Sequence, residues 1–136
     1  MKKLLAMAMA ILMVFSCFAG CNANTDQTDS EYVKDKGKLV VGITDYAPMD
    51  YKDENGEWTG FDAEFARLFA AELGVTVEFV EIDWDNKVFE VQSGAIDCVW
   101  NGMTITAEIS EACSVSDPYI NNSQVVIMKS DVVANY

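Results

Sequence analysis

A chain of 136 residues leaves room for one modest domain, and 22 Asp and Glu against 9 Lys and Arg give it a formal charge of −13. That balance excludes nucleic acid and anionic membrane surfaces as electrostatic partners, since both are polyanions that would repel it. With no histidine in the sequence, the commonest general base and the commonest nitrogen metal ligand are both missing.

The chain opens on Met1-Lys2-Lys3, continues in an almost unbroken apolar run over residues 4–15, and reaches Cys21 through small residues. This is the layout of a secretory signal, and the run is too short for a spanning helix, which needs about 20 apolar residues. Phe18-Ala19-Gly20-Cys21 resembles the bacterial lipobox, with Phe18 where leucine is usual. The resemblance implies cleavage before Cys21, lipidation of that cysteine, and an extracytoplasmic chain tied to the cell membrane through its lipid. The alternative is a plain secretory signal in which Cys21 is incidental. Cleavage there removes Lys2 and Lys3 but no acid, so the remaining chain is more acidic still. Cys98 and Cys113 are then left, either bridged, as suits an extracytoplasmic protein, or buried as free thiols, as suits the apolar run around Cys98. Two cysteines without histidine do not make a metal site.

Residues 1–20 are thus expected to be a signal and residues 21–31, polar and without periodicity, a flexible tether. Order is expected near Tyr32. KLVVGI at residues 38–43 is a continuous apolar run of strand length. A loop through Tyr46 and Pro48 follows, then a turn at Asn55-Gly56, with Asp50, Asp53, Glu54 and Glu57 read as a solvated acidic loop. Residues 61–73 form the clearest helix: Phe61, Phe65, Leu68, Phe69 and Leu73 recur on one face as the expected core contact, and Gly74 stands at the stop. Residues 75–80 are rich in β-branched side chains and read as a strand. Residues 86–93 read as a short helix and residues 95–100 as a third strand, in which Asp97 is expected to pair with backbone or cap a turn. Residues 107–112 read as a brief helix capped by Thr106, and residues 124–128 (QVVIM) as a fourth strand. Strands alternating with helices over short connections predict an α/β domain with a mainly parallel sheet flanked by helices. In such sheets ligands bind at the carboxyl edge, where Trp100-Asn101-Gly102-Met103-Thr104-Ile105-Thr106 falls.

Gly60-Phe61-Asp62-Ala63-Glu64-Phe65 is similar to the signature of the extracytoplasmic solute-binding proteins of amino-acid ABC importers. Tyr46-Ala47-Pro48, Ile96-Asp97, residues 102–106 and Ser116-Asp117-Pro118-Tyr119 match the same family in order and spacing. The resemblance implies a type II periplasmic-binding-protein-like fold, of which residues 32–130 would be most of the first lobe. Residues 131–136 would begin a missing continuation, and the second lobe would be absent. It implies capture of an amino acid or related small polar solute for an ABC permease, with no cofactor and no catalysis. A ligand-sensing module of a signalling receptor and a truncated fragment without transport competence are the alternatives. Carried onto this sequence, the resemblance implies that Tyr46 stacks on the ligand with Asp45 beside it and that Trp84 lines the side-chain pocket. Gly102 and Thr104 would accept from an ammonium, and Asn101 and Met103 would complete the wall. Where the family usually places a carboxylate-binding arginine, this chain has Ile109. Either backbone amides and Thr106 hold a carboxylate, or the ligand is not an ordinary α-amino acid. Arg67, the sole arginine, falls on the outer side of its helix.

Overall fold

Apolar side chains on both faces of Lys38–Ile43 make this segment the middle of the sheet, and Val41 and Ile43 are fully buried. Burying each contributes about 1.5–3 kcal/mol. The structure is a computed structural model that describes residues 27–132, so the expected signal, Cys21 and most of the expected tether lie outside the described residues. In chain order the elements are α1 (Asp29–Lys36), β1 (Lys38–Ile43), β2 (Tyr51–Lys52), β3 (Trp58–Thr59), α2 (Phe61–Leu73), β4 (Thr76–Glu81), a 3₁₀ turn (Trp84–Asn86), α3 (Lys87–Gln92), β5 (Cys98–Val99) and α4 (Ala107–Ala112).

The main sheet has the order β4-β1-β5 and is parallel. β4 pairs with β1 along its whole length, from Lys38↔Thr76 to Ile43↔Glu81, whereas β5 pairs only at Val41↔Cys98 and Gly42↔Val99. The chain therefore leaves β1 toward one side, forms β4, and returns across to the other side as β5. The crevice between β1 and β5, where successive connections diverge, is the topological switch point of this sheet. Gly42 stands in β1 because a Cβ there would lie 2.5 Å from Ile96 Cδ1 and 3.2 Å from Ile82 Cδ1. A second, two-stranded antiparallel ribbon, β2-β3, closes around the expected Asn55-Gly56 turn. There Asp53 accepts from the amides of Asn55 and Glu57 at 2.8 and 2.9 Å.

Several expectations are corrected. The segment assigned to the tether is helical from Asp29: Thr28 accepts from the Glu31 amide, and the Glu31 carboxylate accepts from the Thr28 amide at 2.9 Å, a reciprocal capping box. Val33 then buries into the core and Lys36 pairs with Asp97 at 2.5 Å, which anchors a helix too short to persist alone. The α2 boundaries agree with the sequence, but its buried stripe does not. Ala63, Ala66 and Ala70 face the sheet, whereas Phe61, Phe65, Leu68 and Phe69 are 50%, 37%, 70% and 45% exposed. Small residues let the helix axis approach the sheet closely, and the aromatic rings splay to the rim. Asp50 is not part of a solvated loop but is fully buried. Residues 124–128 are not a strand; Val125, Val126 and Ile127 are largely exposed and have no ladder partner among the described residues. The third strand is cut to two residues because only Cys98 and Val99 reach register with β1.

Candidate functional site

The loop after β1 and the loop after β5 meet at the switch point, and local chemistry fixes both. In the first, the Tyr46 amide donates to the Asp50 carbonyl at 2.6 Å while the Met49 and Asp50 amides donate back to the Tyr46 carbonyl at 2.9 and 3.0 Å. The start of α2 clamps this loop from behind: the Phe61 and Asp62 amides donate to the carbonyls of Pro48 and Met49 at 3.3 and 2.9 Å. Gly60 makes that approach possible, since at φ 112° a Cβ would collide with the Met49 and Pro48 carbonyls. In the second loop, the buried Asn101 side chain donates to the Thr44 hydroxyl and accepts from the Gly102 amide at 2.9 Å. Asn101 thus stitches the two loops together.

Tyr46 lies against Gly102. A Cβ on Gly102 would sit 2.7 Å from Tyr46 Cε1 and 3.1 Å from Cδ1, so glycine is what lets the ring rest on the backbone. Tyr46 is half exposed, which leaves part of its aromatic surface free as a platform. Tyr46, Asn101, Gly102, Met103 and Thr104 all line one cavity of about 1030 Å³. Aromatic side chains line the same cavity. Phe65 and Trp100 meet edge-on at 5.1 Å, Phe69 lies 5.5 Å from Trp100, and Tyr119 stands 5.5 Å from Phe65. The arrangement suits a small polar solute: an aromatic shelf, short acceptors at the floor and an apolar wall that excludes water.

Residues 39–133 match the profile of the bacterial extracellular solute-binding proteins, family 3. The chain belongs to this family. The arginine-binding extracellular protein ArtP of Bacillus subtilis (strain 168) is 31% identical to it over 132 residues, covering 96% of this chain and 49% of ArtP. Among solved structures, an ancestral cationic amino acid solute-binding protein, AncCDT-1, is 44% identical with a TM-score of 0.65, over 68% of this chain and 41% of that one. The arginine-bound form of domain 1 from TmArgBP, as its Phe57Trp mutant, is 37% identical with a TM-score of 0.64, over 67% of this chain and 71% of that one. The chain spans about half the length of the curated relatives it matches. The fold is accordingly periplasmic-binding-protein-like, type II, and the described residues form one α/β lobe with a parallel sheet flanked by helices.

Within this family-3 lobe the structure does not bring every expected site residue to the cavity. Asp45 is exposed and off the wall. The Thr106 hydroxyl accepts from the Ile109 amide at 3.3 Å as the cap of α4 and does not line the cavity. Trp84 is half-buried behind the wall, where its ring lies under Lys87 Nζ at 4.6 Å. Lys87, which does line the cavity, escaped the sequence reading because it lies in an acidic stretch and looks like a surface residue. Phe65, Phe69 and Tyr119 escaped because helical spacing on an α/β helix reads as core. Ile109 lines the cavity without offering charge, and Arg67 is occupied elsewhere, with Glu64 at 2.6 Å and the Trp58 carbonyl at 2.5 Å. Asp97 accepts from the Val40 amide at 2.6 Å, the backbone pairing expected of it.

Behind the Tyr46 loop lie two buried carboxyls. Among the described residues, both oxygens of Asp50 and Oδ2 of Asp62 have no donor in good hydrogen-bond geometry, while Asp62 Oδ1 accepts from the Tyr119 hydroxyl at 2.8 Å. Burial, and after it the Asp62 charge, push Asp50 up to about 7. Burial also raises Asp62, opposed by the Tyr119 bond. Cys98 and Cys113 are free thiols on the cavity wall, and burial, followed by the Asp97 charge, pushes Cys98 up to about 12. Such a thiol is a poor nucleophile. Among the described residues no cluster of three or more His, Cys, Asp or Glu side chains is placed to hold a metal ion, and no helix is long and apolar enough to cross a membrane.

Proposed function

We propose that the chain is the solute-binding component of an ABC importer for amino acids or related small polar solutes, and that the cleft between the β1 and β5 loops receives the ligand. The observation that carries this reading is the half-exposed Tyr46 ring resting on Gly102, beside the exposed Thr104, at the switch point of a family-3 lobe. Asp45, Trp84 and Thr106 then act from outside the cavity wall, shaping the loops rather than touching the solute. The role is capture without catalysis. The chain has no histidine, the Cys98 thiol is held protonated, and Asp50 and Asp62 lie behind the Tyr46 loop rather than on the cavity wall. That domain 1 of TmArgBP exists in an arginine-bound form supports ligand binding by a lobe of this kind. We read Cys21 as lipid-modified, holding the chain outside the cytoplasmic membrane within reach of its permease.

Isothermal titration calorimetry of the purified chain with the standard amino acids tests the binding reading. Saturable binding of at least one is expected, and heats indistinguishable from dilution across the set would refute it. Expression of Cys21→Ala should move the chain from the membrane fraction to the soluble one; unchanged membrane association would reject the lipid anchor.

A further inference from the structure

Of the described lysines and the arginine, Lys34, Lys87 and Lys129 hold no carboxylate, and of these three only Lys87 lines the cavity. Lys36, Lys38, Lys52 and Arg67 each hold a carboxylate, at 2.5, 2.6, 2.6 and 2.6 Å from Asp97, Glu78, Glu81 and Glu64. Lys87 follows Asp83 and Asp85 in sequence, yet among the described residues no carboxylate pairs with it. The Asp83 carboxylate is engaged as a cap, accepting from the Asp85 amide at 3.0 Å. The Lys87 ammonium instead donates to the Trp84 carbonyl at 3.1 Å and rests over the Trp84 ring at 4.6 Å. These two contacts hold the head group while leaving donors free, since an ammonium has three. Its flanks are apolar, because Val88 and Val91 share the cavity wall with it.

Topology puts this cation on the correct rim. β4 ends in register with β1 at Ile43↔Glu81, and the 3₁₀ turn that follows delivers Lys87 to the carboxyl edge where Tyr46 and Gly102 stand. Among the described residues it is the sole lysine or arginine lining the cavity. A half-buried, unpaired ammonium on an aromatic plate attracts an anion more strongly than a solvated surface lysine does, because less water must be displaced and screening is weaker.

We propose that Lys87 is a specificity-determining residue that receives a carboxylate of the solute, so that the cleft selects small carboxylate-bearing zwitterions over the corresponding amines. The proposal rests on the reading of the cleft as an amino-acid site. The cation fixes polarity as well as class: it repels a ligand ammonium toward Tyr46 and Thr104 while it draws the carboxylate to α3.

The test pairs calorimetry with nuclear magnetic resonance of lysine-labelled chain. Arginine is titrated against agmatine, which lacks only the carboxylate, into the full chain and its Lys87→Gln and Lys87→Arg variants, alongside the other standard amino acids. Arginine or another amino acid should bind, and loss of the charge-assisted contact should weaken it about tenfold to hundredfold in Lys87→Gln but little in Lys87→Arg. If arginine binds, agmatine should bind the wild-type chain more weakly by a similar factor, and Lys87→Gln should abolish that difference. Amino-acid binding that is unaltered in Lys87→Gln, or equal affinity for arginine and agmatine, overturns the proposal and leaves the binding function standing. If no amino acid binds, propionate and succinate decide: a saturable shift of the Lys87 Cε resonance retains the anion receptor and rejects the amino-acid reading, and no shift rejects both.

Discussion

Two buried polar clusters back the cleft, and they are built in opposite ways. At the floor, Asn101 is 6% exposed, with its amide donating to Thr44 and its carbonyl oxygen accepting from Gly102. Behind the Tyr46 loop, Asp50 and Asp62 are fully buried, and among the described residues three of their carboxyl oxygens have no donor in good hydrogen-bond geometry. The first cluster is neutral with its oxygen and nitrogen both engaged, so it fixes geometry without a charge to desolvate. The second keeps acids out of water, so the Asp50 proton is held more tightly in the folded chain. The cleft is thus rigid where its two loops meet and responsive to pH where the Tyr46 loop meets α2.

The largest effect should come from breaking the neutral cluster. Asn101→Leu removes both side-chain bonds and strands the Gly102 amide, which should cost about 3 kcal/mol and lower the melting temperature by about 15 °C. Thermal unfolding by circular dichroism measures it, and a loss as small as that of a surface substitution would erase the distinction between the clusters. The acidic cluster should answer with the opposite sign. Because Asp50 is raised from 3.8 to about 7, the folded chain holds that proton more tightly than the unfolded chain. The resulting stability is fully present below the unfolded value, declines as pH rises, and is lost above about pH 7. Denaturant midpoints should therefore fall from about pH 4 to about pH 8, after allowance for general charge repulsion. Asp50→Asn should flatten that slope and stabilise the chain by about 2 kcal/mol at the upper end.

Tyr119→Phe is expected to matter less. It removes the only side-chain donor to Asp62 among the described residues, for a loss of about 1 kcal/mol in chemical unfolding at neutral pH. The smallest change in stability belongs to Gly102→Ala, within about 0.5 kcal/mol. The new methyl meets the half-exposed Tyr46 ring, which can swing away. That variant separates fold from function: ligand affinity should drop while the melting curve stays in place.

Much of this architecture was legible in the sequence because it is local. Lys38–Ile43 is apolar at every position but its first, and Gly74 ends α2 in the left-handed conformation that the sequence suggests. Thr106 caps α4 as its side chain predicts. What was illegible depends on partners distant in sequence. Helix α2 carries two stripes, one of alanine and one of phenylalanine, and only close approach to the sheet decides that alanine goes inside. Asp50 reads as one of several loop acids until α2 closes over it. Residues 124–128 have strand composition, but a strand exists only where a ladder receives it. In the site, residues 100–106 were visible as a stretch suited to a sheet edge and Tyr46 only through the family resemblance, whereas Lys87 was hidden by its acidic neighbours.

The most direct measurement is a ¹H–¹⁵N correlation spectrum of the chain during titration with each standard amino acid. Saturable shifts concentrated on the amides of Tyr46, Gly102 and Thr104 are expected, with Asp53 and Asn55 in the β2–β3 turn unmoved. Saturable shifts that leave the β1 and β5 loops untouched, or no saturable shifts with any amino acid, would contradict the assignment of this cleft as the binding site.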